Sequence, residues 1–431
     1  MKTLLERAGG SVLDITVAGS DDYDCLQSKI TLLSSHTRQI GRLEFLPTSW
    51  AIVHMFSGIS GPLPLLQTLE IATLPQHLPG HSRLPLFNNA TNLKVFSFDA
   101  NSNRLPFLNC FLFPNLTSFH FSTSPSQIFH ASQILDFLET SPMLQTVHLE
   151  VITDISLHQV LQRNVVVLPN VETFKLVVSD GKAGYKMAAQ ISCPSAKLVS
   201  LTHKVESDNT ISEDLFPAPG SWDAIVSQYS RSPVEEASLD IRAFPILTCK
   251  LSFLSPGQNV IELCSYVAEE NYGEGPGIPS VATRDRVFAQ ATRTVRNHPQ
   301  LENLRRLYIC HNHRSVGSRD FPYPTSDVDR LFKSVGPLDE LIISRSDLRP
   351  YFYSSPKGPV VFPKIKEFTI SHSVNPFPRE CTTVIVAFAR RQHASGIPLE
   401  RVIICEGSLP TGIVEGLRPW VGSVEYRYEE S

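Results

Sequence analysis

Apolar and polar residues alternate along this chain in short stretches that predict β-strands. The pattern is clearest in Leu144–Leu149 (LQTVHL), and it recurs in Val171–Leu176 (VETFKL). In both segments an apolar residue is followed, three and five positions later, by two more. Side chains of a strand point alternately to its two faces, so the last two apolar residues point inward and the polar residues beside them point outward. The first apolar residue lies in the turn before the strand.

Copies of this pattern extend over most of the chain. Their central apolar residues are Leu43, Leu69, Phe96, Phe119, Val147, Phe174, Leu201, Ala237, Leu307, Leu341, Phe368 and Val402. The first seven are nearly evenly spaced, whereas the wider steps from Leu201 to Ala237 and from Ala237 to Leu307 indicate insertions. Such regular spacing is typical of solenoids, in which each unit buries its apolar face only by stacking on its neighbours.

Segments with helical spacing, such as Gln127 to Leu138, separate several of the strands. We therefore predict an α/β solenoid. It would form an open arc with parallel strands on the concave face, helices on the convex face and irregular repeats of about 23 to 36 residues. The alternative is an enzyme with a (β/α) barrel. Twelve copies exceed the eight strands of that barrel, and the strand ends lack clustered carboxylates, lysine or histidine, so we reject it.

The pattern divides the chain into four segments. Residues 1–20 form an N-terminal tail and capping strand, and residues 21–205 carry the regular repeats. Residues 206–303 carry irregular repeats with insertions, and residues 304–431 carry the C-terminal repeats and a cap. Within the third segment, the alternating runs at 251–253 and 261–263 surround Ser-Pro-Gly-Gln, which predicts a β-hairpin.

The amino-acid composition of the chain excludes several classes of partner and indicates a compartment. Charged residues make up 19% of the chain and the net charge is −4, so we expect neither nucleic acid nor an anionic membrane as a partner. The eight cysteines are dispersed without a Cys-x-x-Cys pair, which is typical of reduced thiols. There is no signal peptide and no run of the ~18 apolar residues that a membrane span needs. We expect a cytoplasmic or nuclear protein.

No catalytic motif is present, and the segments that could form a phosphate, metal or partner site give only weak signals. Gly273-Glu-Gly-Pro-Gly277 follows no strand, so we interpret it as a loop rather than a phosphate site. Cys310-His-Asn-His313 offers two metal ligands, but no second cluster completes a set of four. Arg286, Arg293 and Arg296 share a helical face, which is either solvated or a site for an acidic partner. We predict no catalytic site, no metal and no cofactor.

The outward positions of the strands are the candidate binding surface. In the first half of the chain they are mostly small and polar, whereas the second half offers charged and aromatic residues of the kind that anchor protein interfaces. The residues that we predict to contact a protein partner are His120, His148, Glu150, Lys175, Thr202, Glu236, Asp240, Arg306, Tyr308, Glu340 and Arg401. For each of them the alternative is an ordinary exposed strand residue.

The blocks PLPLLQTLEI, FPNLTSFHF, SPMLQTVHLEV and LPNVETFKL resemble leucine-rich repeats, and more narrowly those of F-box proteins from mushroom-type fungi. The opening LLERAGGSVLDITVAG is similar to the stretch that follows the F-box there, and CKLSFLSPGQN resembles a late block of such chains. The resemblance covers essentially the whole chain. It implies a protein-binding module, the substrate-recognition part of an adaptor in an SCF ubiquitin ligase.

Two departures from that family bear on these expectations. Nothing before residue 20 offers the Leu-Pro-x-Glu-Ile-Leu helix that docks the Skp-type adaptor, so that partner is expected only if an F-box lies upstream of Met1. Without it, the alternative is a stand-alone repeat scaffold. The asparagine that marks the turn of many leucine-rich repeats is present only at Asn312, so we expect other groups to satisfy the turn backbones and the curvature to be irregular.

Overall fold

The computed structural model describes residues 9–17, 28, 31–45, 62–71, 90–100, 113–123, 129–151, 155–156, 163–205, 215–229, 233–243, 247–256, 260–267, 281–312, 325–344, 363–371, 379–405 and 412–427. The chain divides into two compact units, Met1–Val199 and Ser200–Ser431. The described strands include a mostly parallel sheet of sixteen strands, so the protein has a mixed α/β fold.

The first unit alternates strands with turns and short helices. Its described elements are β1 (Leu13–Val17), β2 (Ile40–Phe45), β3 (Thr68–Ile71), β4 (Val95–Ala100), β5 (Ser118–Thr123), β6 (Phe129–His130), α1 (Ala131–Glu139), β7 (Thr146–Val151), β8 (Ile155–Ser156), β9 (Val166–Val167), β10 (Thr173–Val178), α2 (Gly181–Ala188) and β11 (Ile191–Ser192). Strand β12 (Leu198–Val205) crosses the division between the units.

The second unit has strands of seven or eight residues and helices of up to sixteen residues. Its described elements are α3 (Pro219–Tyr229), β13 (Glu236–Ala243), β14 (Leu247–Leu254), β15 (Val260–Val267), α4 (Val281–Arg296), β16 (Arg306–Asn312), α5 (Thr325–Ser334), β17 (Leu338–Ser344), β18 (Ile365–Ser371), α6 (Arg379–Ala394), β19 (Leu399–Cys405), α7 (Ile413–Leu417) and β20 (Val421–Arg427). Short 3-10 turns precede β2 (Thr37–Gln39) and β16 (Leu301–Asn303).

Parallel pairing in the first unit follows the register that the sequence pattern predicts. The central apolar residues of the copies lie directly opposite one another on neighbouring strands, in the order Leu43, Leu69, Phe96, Phe119, Val147 and Phe174. All six are at most 1% exposed. A slip of one residue would turn every apolar side chain to the opposite face, so burial of this row fixes the register.

The core of the first unit is rich in phenylalanine. The rings of Phe96 and Phe119 contact Phe137 of α1, with Phe119 and Phe137 4.5 Å apart. Phe113 packs against Phe96, and Phe121 packs against Phe119. Burying a phenylalanine side chain contributes roughly 1.5–3 kcal/mol. Helix α1 therefore lies against the inward face of the sheet because its own apolar stripe completes this cluster.

The turns before the strands are joined by a ladder of side chains. Asn92 donates to the carbonyl of Pro64 (2.6 Å), Asn115 to that of Thr91 (2.8 Å) and Asn170 to that of Pro142 (3.0 Å). Ser195 donates to Pro169 in the same way, at 2.6 Å. Each asparagine thus lies one residue before the first apolar residue of its copy, and its side chain donates to a carbonyl of the preceding turn. The asparagine position expected from the family lies instead beyond the strand, where Asn312 ends β16.

The strands of the second unit also pair in the predicted register. Ala237, Leu307, Leu341, Phe368 and Val402 lie opposite one another on β13, β16, β17, β18 and β19. The wide step between the first two contains the antiparallel strands β14 and β15 and the helix α4. The predicted hairpin is confirmed, since Leu251 lies opposite Leu263 and Phe253 opposite Ile261.

The pairing of the described strands leaves the sheet open. In the first unit β1 pairs with β2 alone, and in the second unit β20 pairs with β19 alone. A closed barrel, the alternative considered for the sequence, has no such edge strands. The predicted α/β class with an open and mostly parallel sheet is therefore confirmed.

Candidate binding face of the sheet

The eleven predicted contact residues all lie on strands and point away from the core. Lys175 and Arg306 are exposed, and the other nine are half-buried. We call this side of the sheet the outer face, in contrast to the inward face on which the apolar row lies. The orientation that the pattern predicts is thus confirmed, whereas a role in binding stays a prediction.

In the first unit three of these residues form one cluster. His120 on β5 lies directly opposite His148 on β7, and their rings stack with centroids 4.5 Å apart at an angle of 14°. Glu150 follows two positions after His148 and therefore points to the same face. One potential ligand atom from each of these three side chains, a ring nitrogen or a carboxylate oxygen, lies within 4.8 Å of the other two. Ser97 on β4 approaches Nδ1 of His120 at 3.3 Å.

Lys175 lies beside this cluster, opposite His148 on β10. Thr202 lies on β12, where it forms a hydrogen bond with Cys264. Burial raises the pKa of that cysteine to about 11, and the bond from Thr202 opposes the shift. The Cys264 thiol is therefore un-ionised and not nucleophilic at neutral pH, because a thiol is nucleophilic only as the thiolate.

A second charged group in the first unit was missed by the sequence analysis. Arg42 on β2 lies 3.0 Å from Glu70 on β3 and 3.5 Å from Glu44 on its own strand. Thr16 on β1 donates to Glu44 at 3.1 Å. The signal was available, because these residues occupy the outward positions of the pattern, but the prediction gave weight only to the later strands.

In the second unit Arg306 lies between two carboxylates. Its guanidinium is 3.9 Å from Glu236 on β13 and 3.8 Å from Glu340 on β17. Thr369 on β18 donates to Glu340 at 3.2 Å. Three predicted contact residues thus form one row of alternating charge across three strands.

Arg401 is the centre of a similar row on the neighbouring strands. It contacts Glu367 on β18 at 2.5 Å and Glu425 on β20 at 3.1 Å, and Glu425 also meets Arg427 at 3.2 Å. The hydrogen bonds from Arg401 and Arg427 lower the pKa of Glu425. The hydrogen bonds to Glu367 and Glu425 raise the pKa of Arg401. The prediction included Arg401 but missed these three partners.

Asp240 and Tyr308 belong to a more enclosed part of the same face. One oxygen of Asp240 accepts from Arg242 at 2.8 and 3.1 Å, and a hydrogen bond joins Asp240 to the thiol of Cys310. Burial raises the pKa of Tyr308 and that of Cys310 beside it. Lys250 and Glu262 of the hairpin form a further pair at 2.6 Å.

Two other candidates from the sequence are only partly described. Arg286, Arg293 and Arg296 lie on α4 as predicted, with Arg286 and Arg293 exposed. Cys310 and His311 lie on β16, whereas His313 and the glycine-rich segment 273–277 lie outside the described residues. Among the described residues, the group with metal-ligand spacing is the His120, His148 and Glu150 cluster rather than this one.

No described helix is both long and apolar enough to cross a membrane. No protein-family model matches the chain, and no curated protein matches it. The assignment of function therefore depends on the geometry of the outer face and on the sequence pattern.

Proposed function

We propose that this chain is a leucine-rich repeat solenoid that binds another protein through its outer face, as the substrate-recognition part of an F-box type SCF ubiquitin ligase adaptor. The proposal is carried by the rows of alternating charge around Arg306 and Arg401 in the second unit. The resemblance of the repeats to those of fungal F-box proteins supports the ligase link. The partner would be a protein substrate whose surface carries both acidic and basic groups.

The ion pairs of the charged rows are weak enough for their side chains to pair with a partner instead. Exposed ion pairs contribute only about 0–1 kcal/mol each, so they restrain the free protein weakly. The same charges gain strength when an interface excludes water around them. Arginine and tyrosine are also the residues that most often dominate binding energy, and Arg306, Tyr308 and Arg401 lie on this face.

Charge reversal tests the binding part of the proposal. Proteins captured from the source cells by the wild-type chain are compared quantitatively with those captured by the double variant Arg306→Glu and Arg401→Glu. The control is Arg391→Glu, an exposed residue of α6 in the same unit. We expect a specific set of proteins that the double variant loses and the control retains. Equal capture by all three chains would contradict binding through this face.

The ligase link needs a separate experiment. The 5′ end of the native transcript is mapped, and the encoded protein is purified from cells and probed for the Skp-type adaptor. An upstream F-box with co-purifying adaptor is the expected result. If no F-box is encoded and no adaptor co-purifies, the ligase link fails. A partner that still depends on Arg306 and Arg401 would then identify a stand-alone scaffold.

A further inference from the structure

Two stacked histidines and a glutamate on the outer face of the first unit form a set of groups that divalent transition metals favour. Imidazole nitrogen suits Zn²⁺, Cu²⁺ and Ni²⁺, and two histidines with one glutamate are the ligands of a known class of zinc sites that leave a fourth position open. His120 and His148 come from adjacent strands, and Glu150 comes from the strand of His148. The parallel register, rather than a local loop, brings them together.

The surroundings of His120 orient its ring for such a role. Its Nδ1 lies 3.3 Å from the hydroxyl of Ser97, one strand away on the opposite side from His148. If Nδ1 donates its proton to that hydroxyl, Nε2 carries the lone pair. This Nε2 is buried and makes no hydrogen bond within the described part of the chain. A second hydrogen bond that fixes the tautomer is the usual companion of a metal-binding histidine.

The spacing of the cluster is slightly wider than that of a bound metal. The candidate ligand atoms lie within 4.8 Å of one another. Two ligands at the usual ~2.1 Å from a tetrahedral zinc ion lie about 3.4 Å apart. Because each imidazole nitrogen donates in the plane of its ring, the two rings must turn out of their stacked arrangement to share one ion. Side-chain rotations of this kind, which also bring the three groups together by about an ångström, would close the site. Since the two strands are fixed by their buried row, the backbone need not move.

We propose that His120, His148 and Glu150 bind a divalent transition metal ion, with Zn²⁺ or Cu²⁺ as the favoured class and an open fourth position. Ser97 is a positioning residue that orients the ring of His120. Lys175, opposite His148, places a positive charge beside the site and weakens it. The proposal is independent of whether the outer face binds a protein, because the whole cluster lies within the first unit.

Calorimetric titration of the full chain with Zn²⁺ tests the proposal, together with His120→Gln, His148→Gln and Glu150→Gln. The control is His393→Gln, an exposed histidine of α6. We expect one zinc ion per chain, with affinity at least about tenfold weaker in each cluster variant and unchanged in the control. Mg²⁺ and Ca²⁺, which prefer oxygen ligands, are expected not to compete. Ser97→Ala should weaken binding less than the loss of a ligand, and Lys175→Ala should strengthen it.

A spectroscopic readout separates ligation from indirect effects. The electron paramagnetic resonance spectrum of the Cu²⁺-loaded chain should show coupling to two imidazole nitrogens, and His120→Gln should leave one. Far-ultraviolet circular dichroism without metal checks that each variant folds. The proposal is overturned if the wild-type chain shows no saturable binding. It is equally overturned if the cluster variants bind zinc as the wild type does, or if the copper spectrum does not change in His120→Gln.

Discussion

The two units share one inward pattern but differ on their outer faces. In both, a row of apolar residues crosses the strands in register, from Leu43 to Phe174 in the first unit and from Ala237 to Val402 in the second. Outward, the first unit presents a stacked histidine pair and a charged group around Arg42. The second presents rows of alternating charge centred on Arg306 and Arg401.

The contrast shows that the inward residues determine the fold, whereas the outward residues give each unit its surface chemistry. Burial constrains every second residue of a strand, because an apolar row must stay in register with its neighbours. The residues between are free to vary, since exposed substitutions usually change stability by no more than about 0.5 kcal/mol. We therefore expect large effects from inward substitutions and small effects on stability from outward ones.

The sharpest contrast lies between neighbouring residues of β10. Phe174→Asp places a charge in the apolar row, and we expect it to lower the free energy of unfolding by more than about 4 kcal/mol. Lys175→Asp, at an exposed outward position, should change it by less than about 0.5 kcal/mol. Chemical denaturation of both variants measures the difference. Similar stabilities for the two would mean that the assigned register is inverted.

A buried histidine makes the core of the second unit sensitive to pH. His298 is 4% exposed between Trp222 and Phe253, and burial lowers its pKa from 6.5 to about 4. The unfolded chain takes up this proton near pH 6.5, whereas the folded chain does so only near pH 4. The stability that depends on neutral His298 is therefore complete above pH 6.5 and is lost as the pH falls toward 4.

Between pH 6.5 and pH 4 we expect the free energy of unfolding to fall by about 3 kcal/mol because of His298. It is measured by denaturation of the wild-type chain at several pH values, with His298→Phe and the control His393→Gln. The pH dependence should be weaker by that amount in His298→Phe and unchanged in the control. A wild-type profile that His298→Phe leaves unaltered would show that His298 is not the group responsible.

The ladder of turn side chains predicts a destabilising and a stabilising change. Asn170→Ala removes the bond to Pro142 and should cost about 1 kcal/mol. Met143 occupies the corresponding position of its own turn, is 47% exposed and has no donor. Met143→Asn should let the new amide reach the carbonyl of Pro114 and raise stability by about 0.5–1 kcal/mol. The thermal stabilities of both variants are compared with that of Thr146→Ala. We expect Asn170→Ala to unfold at a lower temperature and Met143→Asn at a higher one.

The smallest expected effect concerns the histidine pair. His148→Ala should change stability by no more than about 0.5 kcal/mol in the absence of metal, because the residue lies on the outer face. Thermal unfolding after treatment with a chelator checks this. A loss of several kcal/mol would mean that the stacked rings are part of the folding core and that the outer face of the first unit is not a functional surface.

The sequence predicted the strands and their register because a buried row leaves a signal at every second position. Phe96 and Leu341 could be placed on the inward face from their apolar neighbours alone. The hairpin of β14 and β15 was predicted for the same reason, from Leu251 and Ile261 with a Pro-Gly turn between them. What could not be predicted was that the hairpin joins the main sheet, where β14 pairs antiparallel with β13.

The candidate site was predicted less completely, because contacts across strands depend on pairs that lie far apart in the chain. His120 and His148 were both chosen, yet their stacking follows only from the pairing of β5 with β7. Glu425 was missed because it lies on the terminal strand, outside the repeats that were matched. The turn role of Asn92 does not follow from the family's asparagine position, which lies beyond the strand, because the carbonyl that Asn92 reaches belongs to the preceding turn.

Photo-crosslinking tests the central claim, that a protein binds the outer face, most directly. A photoreactive amino acid replaces Tyr308 on the outer face or, as the control, Ser395, which is exposed just beyond α6 in the same unit. The account predicts a discrete crosslinked protein from position 308 that disappears when Arg306 and Arg401 are also reversed to glutamate, and no such product from position 395. Identical crosslinks from both positions, or a product indifferent to the charge reversal, would contradict it.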